Sequence, residues 1–271
     1  GNGSEPVSAF IDAAEENPNQ SFLVLDTQGK SESILNLRLV DYDLSPGFYI
    51  SGYLSAAVSN TKSVGVFSYR SNSSIPSNMD CFVAGVSDFD KVHQANVTVQ
   101  GWDVEKQSGI FVSSETSPDE GYKVSQEIVK SGVDVLLPLA GIGPEATGYG
   151  AARSAQINRG VYVIGAEQDW LRVSPELSDV IITSVIKRFD QSAALAFEAH
   201  LNGNYSTSLE TGTISSGEIQ FSPLRNFLDL LSFDVIEEII NVIDDPSENN
   251  CFIGTSIDSD RILPITTVKP T

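Results

Sequence analysis

Three apolar runs in the middle of the chain each end in a turn of small or polar residues. Each run has the composition of a buried strand, and the three cover residues 133–139, 161–164 and 180–184. Gly141 and Gly143 follow the first run. Glu167 and Asp169 follow the second, and Lys187 follows the third. Because ligands of parallel α/β sheets bind outside the carboxyl ends of the strands, we expect these groups to meet at one edge of one sheet, where they suit a polyhydroxylated small molecule.

Glu167 and Lys187 are the two charged residues whose chemistry is best suited to such a ligand. A carboxylate such as Glu167 accepts two hydrogen bonds at once and so orients a vicinal diol. Lys187 can donate to hydroxyl oxygens, and its charge would offset the cost of burying the Glu167 carboxylate. Asp43, which precedes a predicted helix, could bind the polar edge of a base. The alternative interpretations are exposed carboxylates at loop or strand ends and a solvated lysine beside Arg188.

Gly141 and Gly143 place backbone amides just before a helix predicted over residues 144–155. Such a helix N-terminus favours anions or hydroxyl oxygens. The motif is not the dinucleotide-binding G-x-G-x-x-G, because Ala146 occupies its last place, and no Gly-Lys-Ser/Thr follows that would make a P-loop. Trp170 offers an aromatic face on which a planar ring could stack. The alternative for Trp170 is a tryptophan packed inside the protein.

The elements that would hold these groups alternate between strand and helix along the chain. Further predicted strands cover residues 22–26, 63–67, 96–99 and 109–113, and predicted helices cover residues 46–60, 78–89 and 118–131. Such alternation is typical of parallel sheets with helices on both faces. The sequence therefore predicts an α/β fold.

Charge and length narrow the classes of partner that this chain can bind. It has 271 residues, a formal net charge of −20 and a hydrophobic content of 41%. The length suffices for one large or two modest domains. An acidic surface repels nucleic acid, so we expect no nucleic-acid partner. The chain contains no run of about 18 apolar residues, so we expect no segment that crosses a membrane. The first residues do not have the character of a signal peptide.

The cysteines and histidines indicate no catalytic or metal site. Cys81, Cys251, His93 and His200 lie far apart in the sequence, and we expect neither a metal nor a cofactor. A disulfide between the two cysteines is one alternative, and two free thiols are the other. The chain has no Gly-x-Ser-x-Gly elbow and no clustered catalytic residues, so we do not expect an enzyme.

Four segments in the central part of the chain match a known set of motifs in order and spacing. They are Gly132-Val-Asp-Val, Ala140-Gly-Ile-Gly, Val161-Tyr-Val-Ile-Gly-Ala-Glu-Gln-Asp and Thr183-Ser-Val-Ile-Lys-Arg-Phe-Asp. In these segments the chain resembles the basic membrane protein family, whose best-known type is the purine nucleoside receptor lipoprotein of ABC importers. The resemblance is weaker upstream but covers most of residues 5–220.

The resemblance implies a type I periplasmic-binding-protein-like fold, in which two Rossmann-like lobes with parallel sheets are joined by a hinge. Glu167 stands where the family has an aspartate that binds ribose hydroxyls, and Lys187 matches the lysine of the family's Thr-Ser-x-x-Lys motif. The family's stacking aromatics fall near Leu137 and Glu115, which are not aromatic. Trp170 could supply a stacking face in their place.

The function that the resemblance implies is that of an extracytoplasmic substrate-binding protein of an ABC importer, either periplasmic or a cell-surface lipoprotein. It would bind a nucleoside-like small molecule in the cleft between the lobes, and closure would signal the ABC permease in the membrane. One alternative is a ligand-sensing domain of a regulatory or signalling protein, although no helix-turn-helix segment or basic patch occurs. An enzyme acting on nucleosides is the least favoured alternative.

The predicted first lobe comprises residues 1–106 and about 188–210, and the predicted second lobe comprises residues 107–187 and about 211–224. Crossings between the lobes are expected near residues 103–110 and 184–190. Residues 225–271, a helix and tail, are assigned to neither lobe. Compared with the family, the first lobe is expected to lack its first βαβ unit. The exposed sheet would then be covered by residues 1–10, by the tail 222–271, or by another chain or a further N-terminal segment.

Overall fold

The computed structural model of the protein describes residues 5–27, 34–69, 75–205, 209–244 and Cys251. The helices in chain order are α1 (Glu5–Glu16), α2 (Ser45–Val58), α3 (Ile75–His93), α4 (Pro118–Lys130), α5 (Thr147–Ile157), α6 (Trp170–Val173), α7 (Phe189–Leu201) and α8 (Phe233–Asp244), with 3₁₀ turns at Pro175–Leu177 and Arg225–Leu230. The strands in chain order are β1 (Phe22–Leu25), β2 (Leu37–Tyr42), β3 (Ser63–Tyr69), β4 (Thr98–Gln100), β5 (Trp102–Asp103), β6 (Ser108–Gly109), β7 (Phe111–Val112), β8 (Val135–Leu139), β9 (Tyr162–Gly165), β10 (Ile181–Lys187), β11 (Leu209–Gly212) and β12 (Ile219–Phe221).

The chain forms two compact units, and each unit is assembled from two separate stretches of sequence. The first unit comprises residues 1–43 and 187–219, and the second comprises residues 44–186 and 220–271. In the first unit, β2 lies between β1 and β11, and both pairs are parallel. α1 packs on this sheet through Val7 and Ala14, which form one apolar cluster with Val24, Leu37 and Leu39.

A buried polar network links β2, α7 and the residue before β12 within the first unit. The hydroxyls of Tyr42 and Ser192 share a hydrogen bond of 2.7 Å, and Ser192 donates to the Glu218 carboxylate at 2.6 Å. Burial raises the pKa of Tyr42 to about 12, so this hydroxyl stays neutral at physiological pH. Leaving one such buried group without its partner would cost about 1–3 kcal/mol, so the network fixes α7 against the sheet.

The second unit is built on a larger sheet with the strand order β12–β10–β9–β8–β3–β4, in which β7 also pairs with β3. The four pairs that join β10, β9, β8, β3 and β4 are all parallel. Every residue of β8 is buried, which explains why its sequence is apolar without alternation. Leu136, Ile181 and Trp170 lie in the apolar core of this unit, and none of them is exposed.

α2 and α3 approach each other backbone to backbone at two glycines. A Cβ atom at Gly52 would lie 2.0 Å from the carbonyl oxygen of Phe82, and one at Gly85 would lie 1.9 Å from the carbonyl oxygen of Tyr49. Any larger residue would overlap with the backbone of the other helix, so this spacing requires glycine. The contact brings the side chains of Tyr49, Tyr53 and Phe82 into the core, where each is at most 1% exposed.

Asp134 attaches the loop after α2 to the amino end of β8. Its carboxylate accepts hydrogen bonds from the Ser59 hydroxyl at 2.6 Å and from the backbone N–H groups of Asn60 and Thr61 at 2.7 and 2.9 Å. Three donors make the burial of this carboxylate tolerable. The loop between α2 and β3 is thereby held by a charged group of a neighbouring strand.

A disulfide joins Cys81 of α3 to Cys251, which lies 170 positions further along the chain. α8, which precedes Cys251, is held to α2 and α3 by Glu238. The Glu238 carboxylate accepts a hydrogen bond from the Tyr53 hydroxyl at 3.1 Å and pairs with the His93 ring at 2.7 Å. α8 is therefore fixed to α2 and α3 through polar contacts, and Cys251, further along the chain, is fixed to α3 covalently.

The predicted α/β class with parallel sheets is confirmed, whereas the lobe bounds differ from the two units. The sequence places the strand at residues 63–67 in the first lobe, but β3 pairs with β8 from Val64 to Ser68 and so belongs to the second unit. The chain passes between the units at residues 43–44, 186–187 and 219–220. The passage at 186–187 lies within the predicted interval 184–190, and none of the three lies near residues 103–110.

The two ends of the described chain pack in different units. α1 lies on the sheet of the first unit, whereas residues 220–244 and Cys251 belong to the second unit. Glu238 and Cys251 bind the described part of the tail to α2 and α3, which lie within residues 1–106 of the predicted first lobe. That the tail covers the sheet of this lobe stays a prediction. Residues 1–4, 245–250 and 252–271 of that prediction lie outside the described residues.

Replacing Gly85 with alanine should lower the free energy of unfolding by about 1–3 kcal/mol, the usual cost of overpacking. In an exposed helix the same change is stabilising by up to about 1 kcal/mol, so the sign alone tests the backbone contact with Tyr49. Urea unfolding followed by circular dichroism measures the effect, with Ser87→Ala on the exposed side of α3 as the control. Unchanged or increased stability of Gly85→Ala would contradict the close approach.

Removing the disulfide through Cys81→Ser together with Cys251→Ser should lower the free energy of unfolding by about 2–4 kcal/mol, because the bond closes a long loop in the unfolded chain. Urea unfolding with and without a reductant measures this loss. The reduced wild-type protein should behave as the double variant does. Equal stability of the oxidised wild-type protein and the double variant would show that the bond contributes nothing.

Candidate functional site

Glu167 lies just beyond the carboxyl end of β9, which is an inner strand between β8 and β10. Its backbone is left-handed, with a φ of 69°. Residues other than glycine seldom adopt this conformation, and they do so mostly in turns and at functional sites. The side chain is partly exposed. An acidic residue with a strained backbone at the end of a parallel strand is therefore the strongest single indication of a ligand site in the second unit.

Gly141 and Gly143 form the loop that follows the neighbouring strand, β8. A Cβ atom built at either glycine would meet nothing within 4 Å, so the space beside this loop is open. α5 begins at Thr147 rather than at the predicted residue 144, because Ala146 is still extended, with a ψ of 151°. The amides of Gly141 and Gly143 thus belong to an open loop before α5, and not to its first turn.

Asp169 and Trp170 have structural roles within the second unit. The Asp169 carboxylate accepts from the backbone N–H of Leu171 at 3.2 Å and pairs with Arg225 at 3.1 Å, so it caps α6 and fixes the segment before α8. Trp170 is completely buried, and its indole N–H donates to the Ala166 carbonyl at 3.0 Å. The predicted stacking role of Trp170 is therefore corrected: its ring is part of the core.

Lys187, in the first unit, forms an ion pair with Asp26. Its ammonium nitrogen donates to both carboxylate oxygens of Asp26, at 2.9 and 3.0 Å. The side chain of Lys187 is 9% exposed and that of Asp26 is 35% exposed. The partial exposure of Asp26 leaves this polar pair within reach of a bound molecule. The predicted pairing of Lys187 with Glu167 around one ligand stays a prediction.

Asp26 is a candidate site residue that the sequence analysis missed. It follows β1 directly and has a left-handed backbone with a φ of 62°, as Glu167 does after β9. The predicted strand at residues 22–26 includes Asp26 as its last residue, so its side chain is not expected at a site. Asp26 is nevertheless the first polar residue after an apolar run, and such a residue lies at the edge of the sheet.

Asp43 follows β2 by one position and is partly exposed. Its backbone N–H donates to the Gly212 carbonyl at 3.1 Å, which extends the pairing of β2 with β11. The structure therefore places Asp43 at a strand end of the first unit, and its role in binding a base stays a prediction.

Two further cations in the described part of the first unit are also paired with carboxylates. Arg188 binds Asp190 through two hydrogen bonds of 2.8 and 2.7 Å, which lower the pKa of the Asp190 carboxyl. Arg38 forms an ion pair with Glu210. Within the described ranges, no group of three or more His, Cys, Asp and Glu side chains is arranged to hold a metal ion.

Comparisons with known proteins identify the family. A family model described as Bmp, ABC transporter substrate-binding protein PnrA-like, matches residues 1–244. Basic membrane protein A of Borreliella burgdorferi is 24% identical over 237 residues, which are 85% of this chain and 62% of that protein. Basic membrane protein A1 of Borrelia garinii subsp. bavariensis is 26% identical over 216 residues, which are 78% of this chain and 56% of that protein. The chain thus spans about three fifths of the length of these relatives.

Solved structures show the same fold at low sequence identity. An ABC transporter solute-binding protein from Conexibacter woesei has a TM-score of 0.67 at 14% identity, with 88% of this chain and 72% of that chain covered. One from Aeropyrum pernix has a TM-score of 0.62 at 16% identity, with 92% and 67% covered. The fold is that of type I periplasmic binding proteins. The match of the family model over residues 1–244 shows that this chain belongs to the Bmp family of PnrA-like ABC transporter substrate-binding proteins.

Proposed function

We propose that the protein is the extracytoplasmic substrate-binding component of an ABC importer and that its ligand is a nucleoside-like small molecule. Its family consists of solute-binding proteins of ABC transporters and not of enzymes. A membrane permease is the protein partner that such a component requires. Binding of the ligand between the two lobes, as the family resemblance implies, is part of this proposal.

The carboxylate of Glu167, a residue with a left-handed backbone at a strand end, carries the proposal of a hydroxylated ligand. A carboxylate accepts hydrogen bonds from two neighbouring hydroxyls, as the two hydroxyls of a ribose require. The open space beside Gly141 and Gly143 would allow a sugar to approach the same edge of the sheet. Lys187 adds a donor for hydroxyl oxygens. These groups support ribose recognition, whereas the burial of Trp170 leaves the base to be bound by other residues.

The disulfide supports the proposed location outside the cytoplasm. Structural disulfides such as Cys81–Cys251 form and persist in oxidising compartments and are rare in the reducing cytosol. No helix in the described part of the chain is long and apolar enough to cross a membrane. We propose attachment to the cell surface as a lipoprotein or free residence in the periplasm, as in the family.

Purine nucleosides are the first ligands to test, and inosine, guanosine and adenosine should bind better than their phosphates. Hydrogen bonds to ribose hydroxyls require no charge on the ligand, and the net charge of −20 disfavours an additional phosphate. Native mass spectrometry of the purified protein should identify a retained ligand, and calorimetry should rank the set. A clear preference for AMP or ATP over adenosine would reject the proposed ribose site.

Glu167→Gln and Lys187→Met should each weaken nucleoside binding by about 10- to 150-fold, because each removes a charged hydrogen-bonding partner worth about 1.5–3 kcal/mol. The matched controls are Glu176→Gln and Lys130→Met, which change exposed residues of the same types. Calorimetry measures the affinities, and thermal unfolding checks that the variants fold.

The double variant should lose less affinity than the sum of the two single losses, because we propose that both residues bind the same sugar. A loss equal to the sum would show that Glu167 and Lys187 act independently. Unchanged affinity in both single variants would place the ligand elsewhere in the protein.

A further inference from the structure

We propose that a groove beside β4 in the second unit binds a small organic cation with an apolar body. The groove has a volume of about 350 Å³, within the range of about 300–1,000 Å³ that is typical of small-molecule sites. β4 is the last strand in the order of the larger sheet, and β8 and β3 separate it from β9, after which Glu167 lies. The groove is therefore a second ligand site, and its argument does not rest on the proposed nucleoside site.

Apolar side chains from three neighbouring segments line the groove. α3 contributes two of them, β4 and the residue before it contribute two more, and the hairpin of β5 and β6 contributes the rest. They are Val83, Val86, Val97, Val99, Trp102 and Val104. Val86 and Trp102 are buried, whereas Val104 is 40% exposed. A ligand with an apolar body would remove this surface from water, which favours its binding.

The groove is formed before any ligand arrives, because the hairpin is fixed to both β3 and α3. A Cβ atom at Gly101 would lie 1.9 Å from the carbonyl oxygen of Val66, so the two backbones are in contact there. The Trp102 indole N–H donates to the Asp80 carboxylate of α3 at 2.7 Å, and the Gln107 amide donates to the same carboxylate at 3.1 Å. Fixed walls reduce the ordering cost of binding.

The charged residues that line the groove are all carboxylates. They are Asp90, Asp103 and Glu105, and none of the described residues that line the groove is Lys or Arg. Lys106, the next residue, pairs with Asp103 at 2.6 Å and offsets its charge. Asp90 accepts from the Val97 N–H at 3.0 Å, which fixes the carboxylate but keeps its charge. Asp90 and Glu105 therefore give the groove a negative potential, and the net charge of −20 adds to it.

The apolar walls and the carboxylates together define the class of ligand. An inorganic cation would be attracted by the carboxylates but would leave the valines in water. A neutral hydrocarbon would cover the valines but would gain nothing from the charge. An ammonium or guanidinium compound with an aliphatic or aromatic body satisfies both, whereas a carboxylate with the same body would be repelled.

Two substitutions test the two parts of the site, and each has a matched control. Glu105→Gln removes a charge at the groove, and Glu127→Gln removes the same charge at an exposed position of α4 in the same unit. Val83→Phe fills the groove from α3, and Val92→Phe makes the same change at a position of α3 that is 58% exposed. Thermal unfolding checks that each variant folds.

The experiment is a methyl NMR titration of the valine-labelled protein with 4-phenylbutylamine, 4-phenylbutanol and 4-phenylbutanoate, which share one apolar body and differ in charge. The amine should shift the methyl signals of Val86, Val97 and Val99. It should bind about fivefold more tightly than the alcohol, the effect of a partly exposed ion pair, and the carboxylate should bind most weakly. At about 1 M salt the advantage of the amine should disappear, because the Debye length falls to about 3 Å.

Glu105→Gln should reduce the advantage of the amine over the alcohol by about twofold, and Val83→Phe should weaken the binding of both by about tenfold. The two controls should behave as the wild-type protein does. Tighter binding of the carboxylate, or equal affinities of all three compounds at low salt, would overturn the cationic class of ligand. Absence of shifts at the groove valines would overturn the site itself, and so would unchanged binding in folded Val83→Phe. Because no nucleoside is used, failure of the proposed function would leave this result intact.

Discussion

The close approach of α2 and α3 is the contact on which the second unit depends. The two helices touch through the backbone at Gly52 and Gly85, so their separation cannot vary by even one methyl group. Since α2 leads into β3 and α3 carries Cys81, this fixed separation determines where the sheet receives a central strand and where the C-terminal segment is attached. The aromatic core and the position of α8 both follow from it.

The parallel sheet of the second unit positions the residues of the candidate site. Register between β8, β9 and β10 fixes which residues lie at the carboxyl edge, and a slip of one residue would turn every side chain to the opposite face. Glu167 is therefore positioned by the whole second unit, and its backbone strain is tolerated because the strands on both sides of β9 hold it. Asp26 repeats the same arrangement in the first unit, after a strand whose pairing is independent of the larger sheet.

Local patterns in the sequence predict most strands of the larger sheet and their strand-end residues, because burial on both faces requires uninterrupted apolar runs such as that of β8. They do not predict β2 of the first unit. Contacts between distant residues are not encoded locally. The pairing of β3 with β8 places a strand of the predicted first lobe in the second unit, and the ion pair of Lys187 with Asp26 joins residues 161 positions apart. Trp170 illustrates another limit of local sequence: an aromatic residue in a strand-end turn has the same neighbours in the sequence whether its ring faces a ligand or the core.

The covalent link between α3 and Cys251 has a consequence for proteolysis. A cut in the exposed part of α8 would divide the chain into two fragments, but both would remain one covalent molecule through Cys81. Such a nicked protein would migrate as two species in electrophoresis only after reduction. The disulfide thus retains the C-terminal segment on the protein even after the polypeptide chain has been cleaved.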